Sequence, residues 1–192
     1  MFWLLSFAQL CSSAILYYNS TLPSNLTPDC TNALSQNVSC SRTIINLQNG
    51  VFYSNDTLTR TCTDSCDKGL DSWYTAVLNA CSNQTWSGLS DEAAPVPMIP
   101  DLVRYQYHQT CLSDSGRFCN LVGAQAAGAW SAIDMGTNNT STCDLCFIKS
   151  LQLQAESPFN AGPDLDDLYA SKTSSCGVTG YDLTFSTPQY AG

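Results

Sequence analysis

Eleven cysteines in a chain of 192 residues constrain this sequence more than any other feature. Such a load suits an oxidising compartment, where thiols pair, and argues against the cytosol. An odd number leaves one thiol over, which needs an explanation. The N-terminus offers one. Met1 to Ala14 (MFWLLSFAQLCSSA) is mostly apolar and ends in small residues, as a secretory signal peptide does. It is short and has no Lys or Arg at its start. Cleavage after Ala14 would remove Cys11 and leave Cys30, Cys40, Cys62, Cys66, Cys81, Cys111, Cys119, Cys143, Cys146 and Cys176. Ten thiols permit five disulfides, with on the order of 10³ possible pairings. The leader is too short to span a membrane and no other stretch is long and apolar enough, so no membrane partner is expected.

Charge narrows the function classes. Seven Lys+Arg stand against 16 Asp+Glu, a net charge of −9. Scattered cations do not make the patch that neutralises phosphates, so a nucleic-acid partner is excluded. The apolar share, 44%, builds a core and excludes an acidic disordered chain. Charged residues are only 12%, so solubility needs another source. Seven N-x-S/T sequons supply one, at Asn19, Asn25, Asn37, Asn55, Asn83, Asn138 and Asn139. With 13 Asn and 42 Ser+Thr, chance gives about three. N-glycans on these sites would solvate a surface poor in charge.

The sequence divides into a signal peptide 1–14, a Pro/Ser/Asn-rich extended arm 15–29, a cysteine-rich domain 30–181 and a linker or tail 182–192. Asp29 or Thr31 is expected to cap a short helix carrying Ala33 and Leu34. The clearest helix is 61–81, where Cys62, Cys66, Leu70, Trp73, Tyr74, Val77 and Cys81 recur at steps of three and four. Thr61 or Thr63 can start it, Gly69 weakens it, and Trp73 and Tyr74 read as core. Prolines make 90–100 a loop, after which Asp101 is expected to cap a helix 102–112. A turn falls at Gly116, and 121–131 reads as a tight helix or an irregular segment. After a polar loop 134–142, a helix 143–156 is expected, with Ser141 as cap and Asp144 three residues on. Pro163 opens a last helix, 163–173. The fold class is mainly α: a small disulfide-rich helical domain of about four helices, with an extended N-terminal arm and a C-terminal linker.

Few residues suggest catalysis. His108 is the one histidine. No G-x-S-x-G or free cysteine stands beside it to form an acyl-transfer site, so it reads as an ordinary helix residue. Cys143-x-x-Cys146 and Cys62-x-x-x-Cys66 have spacings that zinc uses, but in an oxidising compartment they read as helix staples. The redox reading of Cys143 and Cys146 lacks a preceding βαβ pattern. Asp91, Glu92, Asp101, Asp114, Asp164, Asp166 and Asp167 are the carboxylates from which a glycosidase pair could be drawn, and none marks a site. Asp164, Asp166 and Asp167 lack the Gly and Glu of a calcium loop and suit a helix N-terminus. Trp86, Trp130, Tyr53, Tyr105 and Tyr107 could offer faces for sugar stacking. No catalytic residue, metal ligand or cofactor is expected.

Three stretches carry a family resemblance. They are Arg104-Tyr105-Gln106-Tyr107-His108-Gln109-Thr110-Cys111 with Asp114-Ser115-Gly116-Arg117-Phe118-Cys119-Asn120; Cys143 to Gln152 (CDLCFIKSLQ); and Ser157 to Pro163 (SPFNAGP) through Ser171 to Tyr181 (SKTSSCGVTGY). Together they resemble the N-terminal cysteine-rich region of secreted fungal LysM-containing proteins, over roughly Cys30 to Tyr181. In that family the region precedes LysM modules, which bind chitin and related N-acetylglucosamine polymers. The resemblance therefore implies an extracellular, non-catalytic role at the cell wall, with chitin or another cell-wall polysaccharide as the partner of the LysM modules. Residues 1–192 contain no Gly-Asp-Thr opening turn or Asn-Pro centre of such a module, so no chitin-binding residue is carried over. Gly192 falls in a Thr/Ser/Pro linker, about where the modules would begin. Either the chain is truncated there or it is a stand-alone version. Two other readings remain: a secreted interaction protein or effector that recognises a protein partner, and a hydrolase using acidic residues.

Overall fold

A computed structural model describes residues 13–48, 50–86, 93–125, 143–157, 159 and 163–178. The described residues form seven α-helices, two short 3-10 helices (Asn19–Thr21 and Arg42–Asn46) and three two-stranded ribbons. The fold is mainly α, as the cysteine spacing and helical periodicity predict. The additional helices are short ones, whose two turns give too few apolar repeats to read.

Helix α1 is Pro28–Leu34. Its cap is Thr27, whose Oγ1 accepts the Cys30 N–H at 3.3 Å, and not Asp29 or Thr31. Pro28 explains the shift: its fixed φ and missing N–H suit the first helical position, so the helix begins right after Thr27. The segment before α1, read as an arm, lies against the core. Ala14–Ile15 forms β1 and pairs antiparallel with β2, Asn37–Val38. Ala14 and Leu26 are buried, and Tyr17 stacks on Trp73 with ring centroids 6.3 Å apart.

The helix expected over 61–81 begins instead at Asp64: α3 is Asp64–Cys81, and a separate helix α2, Asn55–Thr61, ends at that expected start. Thr63 caps α3 by accepting the Cys66 N–H at 3.2 Å. Cys62 therefore lies in the junction, outside the helix. The buried stripe of α3 is Cys66, Leu70, Trp73, Val77 and Cys81; Tyr74 is half-buried at its side. Gly69 has a packing reason. A Cβ there would stand 3.1 Å from the Ser39 backbone nitrogen and 3.3 Å from Val38 Cγ1, so a side chain fits only if the segment just after β2 shifts by a few tenths of an ångström.

Helix α4 is Met98–Cys111 and starts four residues before the expected 102. Pro100 sits in its first turn, where no N–H is needed. Asp101 is inside the helix and fully buried, so it is not the cap. Before α4, Thr85–Trp86 (β3) pairs with Ala94–Pro95 (β4). After it, Ser113–Asp114 (β5) and Arg117–Phe118 (β6) form a hairpin. Both turn residues, Ser115 at φ 50° and Gly116 at φ 77°, are left-handed, as a tight two-residue hairpin requires.

Helices α5 (Cys119–Gln125), α6 (Leu145–Ala155) and α7 (Pro163–Cys176) complete the fold. Asp144 is the cap of α6, accepting the Cys146 N–H at 2.9 Å, and does not stand inside the helix as expected. Cys143 consequently precedes the helix. Helix α7 continues to Cys176, past the expected end at 173. Residues 126–142, with Trp130, Asn138, Asn139, the polar loop and Ser141, lie outside the described residues. So do the segments 1–12, 87–92 and 179–192, on which most of the expected signal peptide, Asp91 and Glu92, and the expected tail fall.

Five disulfides pair the ten cysteines: Cys30–Cys81, Cys40–Cys66, Cys62–Cys111, Cys119–Cys146 and Cys143–Cys176. The first three stay within residues 30–111 and the last two within 119–176. The main core, with Leu34, Leu70, Trp73 and Val77, belongs to the three-disulfide lobe. Phe147, Ile148 and Leu151 form a smaller cluster packed by Leu168, Tyr169 and Val178. The hairpin joins the two.

Candidate functional site

The hairpin, the start of α2, α5 and the entrance of α6 converge on an open groove of about 500 Å³. Phe118, Leu121 and Val122 give it an apolar wall. Asn55, Arg117 and Asp144 supply polar groups, and Gly116 forms its tip. Sequence position does not announce this groove, because its walls come from four separated segments.

An ion network fixes the hairpin beside the groove. Lys149 on α6 donates to Asp114 Oδ1 at 3.0 Å and to the Ser113 carbonyl at 3.2 Å. Arg117 donates to Asp114 Oδ2 at 3.2 Å and lies 3.7 Å from Asp144. The Lys149 hydrogen bond, with help from Arg117, holds the Asp114 carboxyl below its ordinary pKa against the opposing effect of desolvation. Asn120 clamps the other side. Its Nδ2 donates to the Val51 carbonyl and its Oδ1 accepts the Tyr53 N–H, both at 2.8 Å. Sequence reasoning gave Asn120 no role, since an amide that ties the start of α5 to the distant segment 51–53 has no local signature.

The remaining candidates disperse. His108 on α4 stands 3.6 Å from Asp67, and desolvation lowers its pKa against the raising effect of that carboxylate. Asp101 and Asp71 flank Arg104 at 3.5 and 2.8 Å, and the guanidinium covers the Tyr74 ring at 4.6 Å from its centroid. Asp164 and Asp166 occupy the first turn of α7. Asp101, Asp114 and Asp144 thus have structural partners, and only the last lines the groove. The four cysteines with zinc-like spacing, Cys62, Cys66, Cys143 and Cys146, are all in disulfides. Among the described residues no three His, Cys, Asp or Glu side chains gather to hold a metal.

Of the aromatic candidates, Tyr105 and Tyr107 are buried, and Tyr53 and Trp86 are half-buried. Among the described residues the large exposed apolar side chains are others: Ile45, Val51 and Phe52 lie in one short stretch, with Tyr18 and Leu102 elsewhere. Asn19, Asn25, Asn37, Asn55 and Asn83 are all exposed. No helix of the described residues is long and apolar enough to cross a membrane.

Residues 18–150 match the family described as the secreted LysM effector N-terminal domain. The chain belongs to this family. Among its relatives, the secreted LysM effector Vd5LysM of Verticillium dahliae is 34% identical over 190 residues, covering 92% of this chain and 27% of that protein. A LysM domain-containing protein of Arthroderma benhamiae is 30% identical over 76% of this chain and 29% of its own length. A protein of Penicillium expansum named as the non-secreted LysM effector LysM15 is 29% identical, over 81% of this chain and 11% of its own length. The chain therefore spans less than a third of the length of each of these relatives. No solved structure matches the chain significantly. The family assignment places the domain among secreted effectors, in agreement with its five disulfides.

Proposed function

We propose that this domain is a non-catalytic, glycosylated extracellular module that accompanies LysM-type chitin binding in a longer protein. The match to a LysM effector N-terminal domain carries the reading. The small share of each relative that the chain covers supports it, because it leaves room for other modules. The site chemistry is in keeping. Asp114 is held ionised and ion-paired, which suits a structural carboxylate and not the proton donor of a hydrolase. The test is a chitin pulldown of residues 13–192, which keep the buried Ala14, alone and fused ahead of LysM modules. The domain alone is expected to stay in the supernatant and the fusion to bind. Tight, saturable binding by the domain alone would overturn the reading.

A second reading, recognition of a protein partner, is favoured by the exposed Ile45, Val51 and Phe52. Contiguous exposed apolar patches mark contact surfaces, and these three side chains lie close together in sequence. Crosslinking that recovers a protein partner from wild type and loses it with Phe52→Ser would support this reading. Equal recovery with both would remove it.

A further inference from the structure

The groove holds a feature that ligand recognition does not require. Asn55, on its wall, is also the acceptor of a complete sequon, Asn55-Asp56-Thr57. It is the first residue of α2 and is exposed. Ser54 Oγ caps that helix by accepting the Thr57 N–H at 3.2 Å, so the Asn55 amide is not needed as a cap. Of the five described sequon asparagines, Asn55 alone lines this groove.

We propose that Asn55 carries an N-glycan whose first N-acetylglucosamine lies in the groove, which makes the groove the seat of the chain's own sugar. Attachment joins Asn55 Nδ2 to C1 of a lipid-diphosphate-linked oligosaccharide; the amide loses a proton and the lipid diphosphate leaves. A pyranose ring has an apolar face of C–H groups and a polar rim. Phe118 and Leu121 offer the complementary wall. Arg117, its side chain 52% exposed, has five N–H donors, and its two ion pairs do not exhaust them. A Cβ on Gly116 would meet nothing within 4 Å, so the space above the hairpin tip is open to a sugar. The groove volume, about 500 Å³, falls within the range of sites that take small molecules. Tethering raises the local sugar concentration to roughly millimolar, so weak contacts are enough to seat it. The seated sugar would bridge α2 of the first lobe and the hairpin and α5 beside it.

The test uses the chain secreted from a glycosylating host. Glycopeptide mass spectrometry measures occupancy at Asn55. Hydrogen exchange follows the amides of 116–122 in wild type, in Asn55→Gln and in Asn83→Gln. Asn55 is expected to be occupied, and exchange at 116–122 to rise about threefold or more in Asn55→Gln but not in Asn83→Gln. Trimming wild type with an endoglycosidase that leaves one N-acetylglucosamine needs no substitution and should keep the protection. An unmodified Asn55, equal exchange in Asn55→Gln and wild type, or loss of protection on trimming would each overturn the proposal. Chitin binding has no bearing on these outcomes.

Discussion

Trp73 donates its indole N–H to the Ala33 carbonyl at 3.1 Å, joining α3 to the end of α1. The last carbonyls of a helix have no partner within it, and this buried indole satisfies one of them. Both residues lie in the main core, and Trp73 is fully buried. Trp73→Phe keeps an aromatic ring but removes the donor and leaves a void. It should cost about 2–4 kcal/mol, combining an unsatisfied carbonyl with lost packing. Denaturant unfolding with the disulfides intact measures this, and a cost under about 1 kcal/mol would show that water reaches the carbonyl.

Gly69 makes a prediction against propensity. Alanine in the middle of an exposed helix gains roughly 1 kcal/mol over glycine. Here the added methyl would meet the Ser39 nitrogen at 3.1 Å and Val38 Cγ1 at 3.3 Å. Ser39 is backbone next to Cys40, which is tied to Cys66 on the same helix. That staple leaves the neighbour little freedom to retreat. Gly69→Ala should therefore destabilise by about 1–2 kcal/mol through overpacking. A rise in unfolding midpoint would show that β2 can yield.

These two positions show what the sequence could reveal. The stripe on α3 was legible because period 3.6 repeats for five turns, and Trp73 falls on it. The boundary at Cys62 was not, since Thr61 and Thr63 are equally able to cap and only tertiary packing chooses between them. Asp101 misled for a related reason. An acid after proline reads as a cap, yet Arg104 three residues on draws it into the core. The cysteines announced oxidation but not pairing. The groove was illegible because Asn55, Phe118 and Asp144 meet only after the chain has folded.

The disulfide map predicts separable stability. No bridge links residues 30–111 to 119–176. Among the described residues the second lobe shows the smaller buried cluster, so we expect it to depend more on its two bridges. Replacing Cys119 and Cys146 by alanine should cost about 2–5 kcal/mol and speed hydrogen exchange in α6 and α7. Protection in α3 should be unchanged. Loosening of α3 to the same degree would mean that the lobes unfold as one unit.

His108 predicts a pH dependence. Burial lowers its pKa from the ordinary value of about 6.5. Asp67 and Asp71 oppose this effect and Arg104 adds to it. In the window between the folded value and 6.5, the unfolded chain binds a proton that the folded chain does not. Stability must then fall as pH drops through that window and level off below it. Asp114 has the carboxylate counterpart: its contribution, present above its ordinary pKa of about 4, fades as pH falls below that. His108→Gln should remove the loss of stability that sets in just below the ordinary histidine pKa of about 6.5 and leave the more acidic loss in place. An unchanged slope in the variant would assign the dependence to another group.

Ala14 predicts where the mature chain begins. Its side chain is 2% exposed and it pairs with Val38 in the first ribbon. Cleavage after Ala14, the site that its small side chain suggests, would discard a core residue and half of β1. Cleavage after Ser12 or Ser13 also follows a small residue, still removes Cys11, and keeps the ribbon. N-terminal sequencing of the secreted protein should therefore find Ala14 retained and Cys11 gone. Such a protein carries ten cysteines, and alkylation without reduction should label none. A first residue of Ile15 would show that the Ala14–Val38 pair is dispensable. A labelled Cys11 would break the even count on which the five disulfides rest.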